Sequence, residues 1–94
     1  DPQIIQLNYM LHNDHYKKAE IITEALNMVR ITLVQTGAKT STAYAEVAKF
    51  KRLHSTILQD SKPMIRQIIA DIIAGFILFA HIAEQQNHLR PYIY

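Results

Sequence analysis

The chain has no cysteine and no tryptophan, only two glycines, and prolines at positions 2, 63 and 91 alone. Each absence excludes something. Without cysteine there are no disulfides and no thiolate metal sites, and a reducing cytoplasm is favoured. Without breakers between Gly37 and Pro63, or between Pro63 and Pro91 apart from Gly75, long helices are expected. Low-complexity segments, internal repeats and N-x-[ST] sequons are also missing. The longest run without a charge inside the most apolar segment is Ile72 to Ala80, too short to span a bilayer.

What is present is a domain-sized chain of 94 residues, 49% hydrophobic and 19% charged. That is enough apolar side chain for one core and argues against disorder. The chain starts at Asp1 instead of methionine, which suggests removal of residues upstream.

The spacing predicts an all-α fold, an antiparallel four-helix bundle with a short first helix and a long apolar fourth helix, in one domain over 1–94. The first helix is expected from Pro2 to about His12, with Asp1 as N-cap and Pro2 at the first helical position. Ile4, Leu7, Met10 and Leu11 follow helical spacing. Asn13 or Asp14 caps a second helix to about Gln35. Its seam of Ala19, Ile22, Leu26, Val29 and Leu33 steps 3, 4, 3, 4. Gly37 suits the positive-φ position after that helix. Ser41 or Thr42 caps a third helix to about Gln59, with Val47, Phe50, Leu53 or His54, and Ile57 on its stripe. The Asp60–Pro63 turn ends it. The fourth helix runs from Pro63 to about His88. Ile65, Ile68, Ile69, Ile72, Phe76 and Phe79 cover most of its circumference, so several neighbours or an oligomer interface must bury it. The tail 89–94 is expected to fold back or to serve as a contact segment.

Catalytic chemistry finds no foothold. No Ser-His-Asp or Cys-His arrangement is readable, and Asp71 is a lone acid on the apolar helix, better explained by an ion pair or an exposed stripe. Gly37-Ala38-Lys39-Thr40 matches only part of a phosphate-loop pattern and follows no strand. His81, Glu84 and His88 share one helix face, but zinc wants three or four ligands of fixed geometry, and surface residues near a helix end explain them better. No enzyme activity, metal or cofactor is expected.

Charge is uneven. Residues 31–70 carry six bases against two acids, while both flanking segments have one more acid than base. Lys49, Lys51, Arg52, Lys62 and Arg66 form a candidate basic patch for an acidic surface, anionic lipid or nucleic acid, with a solvated helix face as the plainer explanation. The apolar excess of the fourth helix points more strongly to a protein partner, a membrane surface or a homodimer.

Three stretches carry a family resemblance: Lys17-Lys18-Ala19-Glu20-Ile21-Ile22, Ala43-Tyr44-Ala45-Glu46-Val47 and Pro91-Tyr92-Ile93-Tyr94. With its length, basic pI and helix order, the chain resembles the immunity proteins of pediocin-like bacteriocins, although its fourth helix is longer and more apolar than theirs. The resemblance implies a cytoplasmic, non-catalytic bundle that protects a bacterial producer, associating with the bacteriocin-engaged membrane receptor, a sugar phosphotransferase permease. It further implies that specificity lies at the C-terminal end: His88, Leu89, Arg90, Tyr92, Ile93 and Tyr94. A small basic regulator of nucleic acid and a subunit dimerising through the fourth helix are the alternatives.

Overall fold

The computed structural model describes residues 2–12 and 16–93, with side chains described at 2–9 and 20–87. Five helices follow one another: α1 (Pro2–His12), α2 (Tyr16–Gln35), α3 (Thr40–Leu53), α4 (Ser55–Asp60) and α5 (Pro63–Ile93). No strand occurs among the described residues. The expected caps Asp1, Asn13 and Asp14 lie outside the described residues, as does Tyr94.

Four of these helices close a ring. α2 packs between α1 and α3, and α5 closes the ring by packing on both α1 and α3. The short α4 rests against α3. The connections between α1 and α2 and between α2 and α3 are too short for anything but antiparallel neighbours. α3 and α5 are antiparallel too: Thr40, which begins α3, bonds to Glu84 near the far end of α5. The expected antiparallel bundle is therefore present, with the third helix divided in two.

The core has the spacing the sequence shows. Leu7 of α1, Ile22, Leu26 and Leu33 of α2, and Ile72 of α5 are its largest fully buried side chains. Val47 and Phe50 of α3 and Ile65, Ile69 and Phe76 of α5 complete it. At roughly 0.8 kcal/mol per buried CH₂, these side chains supply the main drive to fold.

α2 ends as Gly37 predicts. Gly37 has φ 84° and Ala38 has φ 54°. The Gly37 N–H donates to the Val34 carbonyl at 3.2 Å and the Ala38 N–H to the Leu33 carbonyl at 2.8 Å. This pair of bonds is a Schellman motif, with buried Ala38 and Leu33 in the same core.

Three boundaries differ from expectation. α3 starts at Thr40, before the expected caps Ser41 and Thr42, and its N-cap position, Lys39, makes no side-chain cap bond. The missing cap comes from Glu84 of α5, which sequence-local capping rules cannot see. The third helix does not run unbroken to Gln59: at His54 (φ −119°, ψ 21°) the chain leaves helical geometry for one residue. The bend leaves Leu53 62% exposed and lets Ile57 and Leu58 rest on the core. Of the alternatives Leu53 and His54, the inward position is thus taken by His54, whose ring lies 5.2 Å from that of Phe50.

Finally, α5 does not end near His88. Its backbone stays helical through Pro91 to Ile93, so the expected fold-back of 89–93 is not what the chain does. Proline's fixed φ suits a helix, and both its missing N–H and the crowding of its ring fall on the one carbonyl four residues back, in the last two turns. At 1.5 Å per residue the 31 residues of α5 span about 46 Å, most of the molecule's 52 Å long axis.

Candidate interaction surface

α5 has more apolar side chain than α1 and α3 cover. Its inner face is sealed by Ile65, Ile69, Ile72, Ile73, Phe76 and Ala80. On the outer face Leu78 is 59% exposed, Phe79 49% and Ile82 46%. Residues four apart lie one above the other on a helix, so Leu78 and Ile82 share a stripe, with Phe79 beside it. Ala74 and Gly75 sit one turn earlier on the same side, both exposed. A Cβ added at Gly75 would meet nothing within 4 Å. The result is an apolar strip of small residues followed by large ones, with Ala74 and Leu78 bordering a groove on one edge and Gly75 and Phe79 a cleft on the other.

Past Glu84, α5 runs beyond the start of α3. Gln85, Gln86 and Asn87 are exposed there. The expected contact residues His88, Leu89, Arg90, Tyr92 and Ile93 belong to this last stretch of helix, and their side chains lie outside the described residues, as does Tyr94 entirely. Their backbone therefore continues a helix that passes the end of the bundle.

Pro63–Asn87 is long and apolar enough to cross a membrane, with a mean hydropathy of 1.7. The short uncharged run at Ile72–Ala80 did not suggest this, because a few charged positions are tolerated within such a window. A third of that window is buried in the bundle, and core helices of soluble proteins meet the same criterion.

Three of the candidate basic residues are divided between two grooves. Lys49, Lys51, Arg52, Lys62 and Arg66 are all exposed. Lys51 and Arg66 line one groove, between the end of α3, α4 and the start of α5, over Leu58, Ile69 and Ile73. Lys49 lines another, between α2 and α3, with Glu46, Met28 and His54. Lys49 and Lys51 are two residues apart, which on a helix sends them to opposite sides. Lys62 already has an interaction partner.

The polar residues that suggested chemistry are otherwise engaged. Glu84 accepts the Thr40 N–H at 3.2 Å and the Thr40 hydroxyl on the same carboxylate oxygen. The Thr40 hydroxyl, then the Thr40 N–H, hold the Glu84 carboxyl below the usual carboxylate range. His81 contacts Gln85, nitrogen to nitrogen at 3.3 Å. Asp71 is exposed and accepts from Gln67 Nε2 at 3.0 Å, so it is part of an outer polar stripe and not a buried ion pair. Among the described residues no three His, Asp or Glu side chains converge as metal ligands.

Sequence reasoning missed Arg30. It is half-buried between α2 and α5, and its Nε is buried without a hydrogen-bond partner. A basic residue beside the Leu26–Val29–Leu33 seam was the available signal.

No family model matches the chain, and no curated protein or solved structure matches it significantly.

Proposed function

We propose that this chain is a non-catalytic helical binding protein that engages a protein partner through the outer face and protruding end of α5. The carrying observation is the exposed apolar strip of Leu78, Phe79 and Ile82 on a helix whose inner face is already satisfied by the core. Large apolar groups grouped on one face are what a partner interface desolvates.

In its sharper form the proposal is a bacteriocin immunity protein. It acts in the cytoplasm or at the inner membrane surface, on the membrane receptor that a pediocin-like bacteriocin has engaged. Support comes from the three stretches of resemblance, from the all-α bundle, and from the extension of α5 beyond the bundle, where the resemblance expects specificity to reside. The test is expression inside a bacterium sensitive to such bacteriocins. Protection against one or a few of a panel is expected. Uniform killing at good expression would remove the immunity function.

The dimer alternative draws on the same strip, because Ala74 and the open Gly75 would let a second α5 approach closely. Light scattering decides it: a stable dimer disturbed by Ala74→Leu supports it, and a monomer at high concentration rejects it. The separation of Lys49 from Lys51 and Arg66 counts against the nucleic-acid alternative, since non-specific binding needs several phosphate contacts on one surface.

A further inference from the structure

Along one edge of that strip, where α1 begins, a cleft of about 360 Å³ opens between α2 and α5. Small-molecule pockets are commonly of this size and are mostly apolar with a few placed polar groups. Here the buried floor is Leu33, Ile72 and Phe76, and the exposed rim is Val34 and Phe79. Three features of the cleft fit poorly with a purely structural role and agree with one another.

The first is Arg30. A guanidinium is always charged and has five N–H donors. Arg30 lines this cleft, and its Nε is buried with no acceptor, an arrangement that a folded protein normally avoids. The second is Gly75. Glycine in a helix interior is weaker than alanine. The space around Gly75 is empty, so no close packing requires it. Its consequence is to hold the α5 wall of the cleft open. The third is the apolar lining, which leaves Arg30 as the only formal charge among the lining residues.

We propose that this cleft binds a small amphipathic carboxylate: an apolar chain lying along Ile72, Phe76 and Phe79, with its carboxylate on the Arg30 guanidinium. The planar fork of Arg matches a carboxylate, and a half-buried site strengthens that charge-assisted pairing. With a turn of the Arg30 side chain toward the cleft, the ligand carboxylate gives Nε the acceptor it lacks, and the apolar chain covers the open wall at Gly75. The cleft shares Gly75 and Phe79 with the strip proposed above as a partner surface, but its ligand contact is Arg30, which that strip does not include.

The test uses the full chain and sodium decanoate below its micellar concentration, followed by calorimetry and by amide and Arg Nε–H NMR shifts. Saturable one-to-one binding is expected, with shifts at Arg30, Val34, Gly75 and Phe79. Arg30→Met should weaken it by about tenfold or more, the loss of one charge-assisted hydrogen bond, while the helical circular dichroism is kept. Gly75→Leu should block it by filling the cleft. Decanol should bind weakly and equally to wild type and Arg30→Met. The proposal fails if decanoate does not saturate, if decanoate and decanol bind alike to wild type and Arg30→Met, or if only phosphatidylglycerol vesicles bind.

Discussion

Glu84 caps α3 from 44 residues away: its carboxylate accepts both the backbone N–H and the hydroxyl of Thr40. The first N–H groups of a helix have no partner inside it, and a nearby negative charge suits the positive end of the helix dipole. Lys39, at the usual cap position, supplies no side-chain acceptor. The pair thus joins the start of α3 to the late part of α5 and fixes how far α5 extends past the bundle.

The pair makes stability depend on acid in a defined direction. The folded Glu84 pKa is lowered from 4.5, with the Thr40 hydroxyl as the largest cause. Its contribution is therefore complete above about pH 4.5 and is lost as pH falls through the lowered value. Thermal unfolding of wild type and Glu84→Gln should differ at neutral pH and converge in strong acid. A difference that does not change with pH would contradict the capping role.

Gly37→Ala should destabilise the bundle by about 1–2 kcal/mol, because φ of 84° places a Cβ in left-handed geometry. Space is not the obstacle, since nothing lies within 4 Å of that Cβ. Urea unfolding measures it, and an unchanged midpoint would show that the Schellman turn relaxes freely.

Leu26→Ala removes a fully buried side chain from the middle of the ring and should cost about 2–5 kcal/mol. Leu78→Ala, on the exposed strip, should stay within about 0.5 kcal/mol. Equal losses for the two would mean that the outer strip is covered in the folded monomer.

Affinity for DNA or RNA at low salt should be slight, and Lys49→Ala and Lys51→Ala should each change it little, because the two lysines face different grooves. A steep salt dependence measured by gel shift, with large losses for both variants, would restore the basic patch as one surface.

The seam of α2 was legible because every position from Ile22 to Leu33 at 3–4 spacing faces the core. Gly37 was legible because one residue type fits positive φ. The cap from Glu84 was not, since a pairing across 44 residues leaves no local spacing to find. The break at His54 was hidden because Leu53 and His54 both continue an apolar-looking stripe, and only packing decides which turns inward. Composition showed that α5 carries excess apolar surface, but which residues stay outside depends on where α1 and α3 dock. The sequence places the end of the helix near His88, yet the helix passes through Pro91. Lys49 and Lys51 are close in sequence, while helical geometry turns them to different grooves.

The most direct measurement is bacteriocin killing of a sensitive strain that expresses wild type, Ile82→Asp, or a chain lacking residues 91–94, with folding of each checked by circular dichroism. The outer strip and end of α5 as the partner surface predict protection by wild type against one or a few bacteriocins, and loss of it in both variants while they remain helical. Protection that survives Ile82→Asp and the truncation, or killing of the wild-type strain by every bacteriocin despite good expression, would contradict it.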